Sequence, residues 1–401
     1  MNQKNISHFI GLMNHALGGT HFEPDNVNWN QVINLALSHH VEVIIYEAIS
    51  SLSKDLQPPK SLVGRLEEMV LTLVTKDANQ ISEVEGLLRE FDKKALSAIT
   101  LKGWVMKDLY PRTDYRYMAD TDIFIRSGDE KTIHNIIMNH DFISNGLGDK
   151  KDNVYFKQFI TLEIHKNLFK YEDEWNEQIN NPNSQLYIWN RVEKLDGYSH
   201  IYKMDVDYYY VYHLAHMVKH LISGGGGIGV KSIMDVWVYR FANSRKLNFE
   251  RISDDLDLLG LTDFEKTVWS LAQAWFSEDE VIYPNDSIRK FGEYIIDCGA
   301  FGNSDNFVAN NEAMGNTKRP TRIGYIARRA FPSKSSMEKR FHIIKTYPVT
   351  LPYYWAKRLW RDGVRRKKEV MGEVNSAWNV DYDKVESIHS LYREWGVPRV
   401  E

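Results

Sequence analysis

Two aspartates spaced two residues apart, Asp120 and Asp122, lie in the otherwise apolar segment ADTDIFI, which has the composition of a β-strand. Residues i and i+2 of a strand point to the same face of a sheet, so both carboxylates are predicted to project together. Two like charges side by side are unfavourable unless a cation lies between them. The spacing therefore predicts a cation site on this strand.

A second pair with the same spacing, Glu163 and His165, occurs in the later strand-like segment TLEIHKNLF. Three acids on two neighbouring strands would suit Mg²⁺, a hard cation that prefers oxygen ligands, with Mn²⁺ as an alternative. A site with two such ions suits phosphoryl or nucleotidyl transfer. His165 is expected either to orient a ligand or substrate, or to be a packed, hydrogen-bonded histidine.

Lys102, Gly103 and Arg116 precede the aspartates in the chain and could bind a phosphate. Gly103 would let the backbone approach a phosphate, and Lys102 would supply a point charge. The alternative is that Gly103 ends a strand and Lys102 is solvated. Arg116 is expected either to clamp a phosphate or to pair with Asp120.

Taken together, these residues resemble the bacterial "uncharacterised nucleotidyltransferase" family of the polymerase-β-like nucleotidyltransferase superfamily. The resemblance rests, in chain order, on Lys102-Gly103, Tyr110-Pro111, Arg116, Asp120, Asp122 and Glu163-x-His165. The broader superfamily usually has Gly-Ser where this chain has Lys102-Gly103. Many relatives carry an aliphatic residue at the position of Thr121.

The resemblance implies a metal-dependent transfer of a nucleoside monophosphate from an NTP, such as ATP, to an acceptor. In that interpretation two Mg²⁺ ions are held by Asp120, Asp122 and Glu163, and Glu163 also helps to deprotonate the acceptor. The lysine, glycine and arginine named above would bind the triphosphate. The acceptor stays open between RNA, a protein, a sugar and a small molecule.

The apolar patterns predict an α+β fold, with a small mixed-sheet nucleotidyltransferase unit flanked by helical segments. We expect a helical region over residues 1–97, the α/β unit over 98–200, a helical domain over 201–300 and a basic region over 301–401. The polar stretch 172–182 is predicted as an excursion from the unit, and 302–316 as a loop.

Composition limits the class of protein. The single cysteine, Cys298, excludes an internal disulfide framework and favours a reducing compartment. The first residues lack the apolar core of a signal peptide, and no apolar run is long enough to span a membrane. We therefore expect a cytoplasmic protein without a transmembrane segment.

Positive charge is concentrated in residues 318–368, which hold 16 Lys and Arg against two acids. Such a segment predicts an anionic partner: nucleic acid, an anionic membrane or a nucleotide. It could equally form a helix that packs on the body with its basic face in water. A non-catalytic protein that retains the fold and binds nucleic acid or anionic membrane through this region is therefore the alternative function.

Two further sequence features could bind a metal ion or an anion. Three histidines with the spacing of one helix face are His213, His216 and His220. With Asp235 they could hold a transition metal for a phosphohydrolase, although packed histidines are more common. The glycine-rich stretch 223–229 lacks the phosphate-loop spacing and predicts a linker, while Lys231 and Ser232 after it keep anion binding open.

Overall fold

The computed structural model has an α+β architecture, as predicted: a seven-stranded mixed sheet is flanked by helices. It describes residues 3–19, 22, 25–144, 153–169, 173–223, 227–277, 281–300, 302, 327, 330–334, 337–338, 341, 343–365, 388 and 390–398.

The helices and strands follow in chain order. Before the sheet come α1 Gln3–Ala16, α2 Trp29–His39, α3 Glu42–Ser51 and α4 Lys60–Lys93. The strands are β1 Ala98–Thr100, β2 Thr121–Ile125, β3 Ile143–Ser144, β4 Asn153–Lys157, β5 Ile160–His165, β6 Val192–Lys194 and β7 Ile201–Met204. The other helices are α5 Gly103–Met106, α6 Glu130–Asn139, α7 Asp173–Asn180, α8 Val206–Ser223, α9 Val230–Ala242, α10 Phe249–Leu259, α11 Thr262–Phe276, α12 Asp286–Cys298, α13 Ile343–Thr346 and α14 Leu351–Arg365. Short 3₁₀ helices cover Lys107–Leu109, Thr113–Arg116, Ile188–Asn190 and Pro348–Thr350.

The strand order across the sheet is β3-β4-β5-β2-β1-β7-β6. The pairs β2–β5 and β1–β7 are parallel, and the other neighbours are antiparallel. The two strands that carry the acidic residues, β2 and β5, are therefore adjacent and lie inside the sheet, where both of their edges are hydrogen-bonded.

The two faces of the sheet have different partners. Ile123 and Ile125 of β2 pack with α4 and α6 in the smaller hydrophobic core. Phe124 belongs to the larger core, which joins α1–α3 to α8–α12. Because side chains alternate along a strand, Asp122 lies on the same side as Phe124. The acidic residues therefore face helices α1–α3 and α8–α12, which we call the helical body.

Side chains of helix α4 hold the segment around the acids in place. Gln80 Nε2 donates a 2.8 Å hydrogen bond to the hydroxyl of Thr121, which explains a polar residue at this buried strand position. Lys107, in the 3₁₀ helix after α5, forms a buried ion pair with Asp77. These two contacts hold the segment at residues 107 and 121 against α4.

Three elements go beyond the sequence prediction. Strands β6 and β7 were not predicted, and β7 extends the sheet to Met204, past residue 200 where the α/β unit was expected to end. The polar stretch expected at 172–182 contains helix α7, which buries Trp175 and Ile179 one turn apart.

Several predictions concern residues that lie outside the described ones. These are most of the 302–316 loop, residues 224–226 of the glycine-rich stretch, and much of the basic 318–368 segment. The described part of that segment includes α13 and α14. Among the described helices, none is both long enough and apolar enough to cross a bilayer.

Candidate active site

The pairing of β2 with β5 places the acidic residues opposite one another. In the parallel register Asp122 lies beside Glu163, and Phe124 lies beside His165. Residues in register on neighbouring strands share a face of the sheet. Asp122, Glu163 and His165 therefore converge on the face that looks towards the helical body.

Asp122 is at the centre of this group and is almost fully buried, with 2% of its surface exposed. Its Oδ1 lies 2.6 Å from Nε2 of His165 and 2.8 Å from Nζ of Lys102. Burial alone would raise the pKa of Asp122, but Lys102 and His165 outweigh it and hold the pKa below the usual range. The carboxylate therefore stays ionised.

The donor atoms of Asp122, Glu163 and His165 all lie within 4.8 Å of one another, a spacing that a single metal ion can bridge. Glu163 is the accessible member, with 29% of its side chain exposed, and its Oε2 lies 3.7 Å from His165 Nε2. Burial and the charge of Asp122 raise the pKa of Glu163. The two carboxylates suit Mg²⁺ or Mn²⁺, because both ions prefer oxygen ligands.

Asp120 lies close to this group but is not part of it. It occupies a bend one residue before β2 begins, so the strand alternation that aligns Asp122 with Phe124 does not extend to it. Burial and the charge of Asp122 raise the pKa of Asp120. The two aspartates are thus near neighbours in different positions: one is fixed by the sheet, and the other is set by the bend before it.

Lys102 and Gly103 form the turn from β1 into α5. Lys102 has φ +46° and ψ −120°, a strained conformation for a residue with a side chain. A Cβ on Gly103 would lie 2.6 Å from Cγ of Met118, so a larger residue there would displace the Met118 side chain. Tyr209 of α8 donates a 2.8 Å hydrogen bond to the carbonyl of Lys102, which stabilises this turn.

Arg116 does not pair with Asp120. Its Nε lies 2.8 Å from Oδ1 of Asp235 in α9, and its Nη1 donates to the carbonyl of Tyr117. Tyr110 donates a 2.6 Å hydrogen bond to the same carboxylate of Asp235. Two residues of the sequence motif therefore converge on one buried acid of the helical body, and this joins the motif segment to α9.

A known protein family matches most of the chain. Residues 25–277 match the family described as uncharacterised nucleotidyltransferase, which is more than half of the 401-residue chain. The chain belongs to this nucleotidyltransferase family. The match covers every strand of the sheet and helices α2–α11 in full. No curated protein and no solved structure matches the chain.

The three histidines of helix α8 do not gather around Asp235. His213 Nε2 contacts the carbonyl of Ser232 at 3.2 Å, and the Nε2 atoms of His216 and His220 lie 3.1 Å apart. Burial lowers the pKa of both, that of His220 to about 3, and nearby Lys102 lowers them further. Among the described residues only Asp122, Glu163 and His165 have the spacing of a metal site. The arrangement therefore gives a phosphohydrolase centre on α8 no support.

Lys231 lies near Asp120 and was not among the residues predicted to bind a nucleotide. It lies in the first turn of α9, within electrostatic range of Asp120, Arg116 and Asp235. Burial, followed by the charge of Arg116, lowers the pKa of Lys231 to about 8. No carboxylate forms an ion pair with it in the described part of the chain. A lysine after a glycine-rich stretch was the available signal, but nothing in the sequence brings it to Asp120.

Proposed function

We propose that the protein transfers a nucleoside monophosphate from an NTP to the hydroxyl or phosphate of an acceptor. The observation that carries the proposal is the convergence of Asp122, Glu163 and His165 on one face of two paired strands, beside Lys102. Family membership supports the general reaction class. In the transfer the acceptor oxygen forms a bond to the α-phosphorus, the bond to the bridging oxygen breaks, and pyrophosphate leaves.

Asp122 and Glu163, with Asp120 beside them, are the residues that would hold divalent cations, with Mg²⁺ as the expected ion and Mn²⁺ as the alternative. Such ions lower the pKa of the attacking group and neutralise charge that builds on the transferred phosphate. The low pKa of Asp122 fits this role, since the residue is an acceptor-only carboxylate at neutral pH. His165 orients it through the 2.6 Å contact.

Glu163 suits a second role in this reaction. It is the exposed member of the group, so an acceptor can reach it and pass its proton to the carboxylate. We assign the removal of the acceptor's proton to Glu163. The charged triphosphate would lie against Lys102 and Arg116, with the Gly103 backbone at the same turn.

Lys231 adds a third positive charge on the opposite, helical side of the site. Its position in the first turn of α9 and its lack of a carboxylate partner in the described structure leave the ammonium group available for a phosphate. Arg116, fixed by Asp235, would contribute a guanidinium in a set orientation.

The test is calorimetric titration of each NTP into the full chain, with Mg²⁺ and separately with EDTA. The Asp120→Asn/Asp122→Asn double variant is titrated in parallel. We expect one NTP, with ATP the first to try, to bind only with the metal and only to the unaltered chain. If no NTP binds under any condition, the proposal is wrong.

The acceptor can be sought among RNA, proteins, sugars and small molecules once the donor is known. The single cysteine supports a reaction in the cytoplasm.

The second candidate, a non-catalytic protein that binds nucleic acid or anionic membrane, is favoured only by the charge of residues 318–368. Nucleic-acid binding through many Lys and Arg would weaken steeply with salt, whereas a nucleotide site would respond mainly to Mg²⁺.

A further inference from the structure

We propose that the outer face of helix α14 is a peripheral binding surface for an anionic phospholipid membrane. The surface consists of Val349, Pro352, Tyr353, Ala356, Leu359 and Trp360, and we refer to it as the α14 stripe. It is distinct from the nucleotidyltransferase site, and the proposal does not depend on the proposed reaction.

The inner face of α14 already has partners. Trp355 Nε1 donates a 3.0 Å hydrogen bond to the carbonyl of Pro332, and the indole packs edge-on against Phe331. Arg358 is buried and donates to the carbonyl of Ala330. Tyr354 packs against Phe341 at 4.5 Å between ring centroids. These contacts fix which face of the helix is turned outwards.

The outward face is apolar and exposed. Tyr353, Ala356 and Trp360 have the i, i+3, i+7 spacing of one helix face, and Val349 precedes them by one turn. The exposed fractions are 85% for Val349, 63% for Tyr353 and 72% for Trp360. A continuous row of large apolar side chains in water is unfavourable, and it usually marks a surface that is covered by a partner.

The charge around the stripe selects the kind of partner. Lys357 of α14 is exposed, as is Lys345 four residues before Val349, and the sequence continues with RRKK at residues 365–368. Over residues 318–368 the 16 basic residues outnumber the two acids. Apolar side chains flanked by Lys and Arg match an anionic bilayer surface, where rings and aliphatic groups enter the acyl boundary and cations meet the headgroups.

The composition of the stripe favours lipid over nucleic acid. Single-stranded nucleic acid stacks its bases on aromatic rings, so that a binding surface needs rings and cations. Val349, Ala356 and Leu359 offer no ring, yet all three are exposed, Val349 to 85% and Leu359 to 41%. Aliphatic and aromatic groups in one row fit the hydrocarbon boundary, and Tyr353 and Trp360 would lie at the headgroup level.

The experiment is co-sedimentation of the full chain with phosphatidylcholine vesicles, with and without phosphatidylserine. We expect binding only to the anionic vesicles. The Tyr353→Ser/Trp360→Ser variant should bind at least about tenfold more weakly, because it removes the inserting rings. Each of Lys345→Gln and Lys357→Gln should weaken binding by about fivefold, and added salt should do the same.

A matched control replaces an equally exposed ring elsewhere: Phe241→Ser on α9, where Phe241 is 76% exposed. This variant should bind vesicles as the unaltered chain does. Circular dichroism of each variant shows whether the fold is retained, and stripe residues are exposed, so we expect no loss. Equal binding of stripe and control variants, or no vesicle binding at all, would overturn the proposal. So would binding to single-stranded RNA that depends on Tyr353 and Trp360 in the absence of vesicle binding.

Discussion

The ammonium group of Lys102 lies 2.8 Å from Oδ1 of Asp122, so the residue expected to bind triphosphate is paired with the residue expected to bind metal. The pair lies at the start of α5, where Lys102 adopts a strained backbone conformation. Both charges are therefore held in place before any substrate arrives. Each group can then bind a ligand of opposite charge: Lys102 can bind a phosphate, and Asp122 can bind a cation.

The pair predicts that loss of Asp122 lowers both the transfer rate and the free energy of unfolding. We expect Asp122→Asn to lower transfer by about 1,000-fold, as for the removal of a group that stabilises transition-state charge. The variant also leaves Lys102 without its carboxylate, at a cost of about 1–3 kcal/mol in the free energy of unfolding. Rates of pyrophosphate release and urea denaturation measure the two effects.

A second substitution separates the effect on transfer activity from the effect on stability. The double variant Lys102→Met/Asp122→Asn should regain most of the stability, because the unpaired ammonium is gone, and should stay inactive. Asp196→Asn, which changes an exposed acid between β6 and β7, is the matched control and should affect neither measurement. A double variant with near-normal activity would contradict the assignment of Asp122.

Lys231 should limit stability while it supports substrate binding. Its pKa of about 8, lowered from 10.5, means that the folded chain disfavours the charged form, so stability falls as the pH drops from 10.5 towards 8 and the ammonium destabilises the fold at pH 7. We expect Lys231→Met to raise the Tm at pH 7 and to raise the KM for the NTP by about tenfold or more. Lys246→Met, at an exposed position just after α9, should change neither value. An unchanged KM would exclude Lys231 from the site.

His39 predicts part of the pH dependence of stability. Its Nδ1 accepts from the backbone N–H of Val230, and its Nε2 contacts the carbonyl of Ile296 at 3.2 Å, so it links α2 to α9 and α12 in the neutral form. Burial lowers its pKa from 6.5 to about 4, an effect that the Ile296 carbonyl opposes and the charges of Lys231 and His40 reinforce.

Because the folded pKa of His39 lies below the unfolded value, the unfolded chain binds the extra proton. Stability from this residue is complete above pH 6.5 and falls as the pH drops towards 4, by up to about 3 kcal/mol. His39→Gln should start less stable at pH 7 and should lose less between pH 6.5 and 4. Urea denaturation at a series of pH values measures this, and parallel curves for both chains would refute it.

The buried pair of Asp77 and Lys107 predicts a structural weak point. Both side chains are almost fully buried, and burial lowers the pKa of Lys107. We expect Asp77→Asn to cost about 3 kcal/mol of unfolding free energy, because it leaves a buried charge without a partner. In the Asp77→Leu/Lys107→Met variant the loss should be mostly absent. Guanidinium denaturation measures both, and equal losses in the two variants would contradict this account.

Local patterns were sufficient for much of the fold. The strand-like composition of TDIFI and TLEIH predicted β2 and β5, and the stretch 201–300, which was expected to be helical, contains α8–α12. Strands β6 and β7 were missed, since both are short and their polar residues give no clear alternation. Helix α7 was read as an excursion because only Trp175 and Ile179 are buried in an otherwise polar segment.

Residue types and order alone determined the family, the α+β class and the acids Asp122 and Glu163 as candidates for one site. Only the tertiary structure decided that β2 and β5 are parallel neighbours in the register that pairs those two acids. It also turned Arg116 towards Asp235 and brought Lys231 into range of Asp120. The physical reason is that local patterns report which face of an element is buried. Which elements meet across that face depends on packing between segments far apart in the chain.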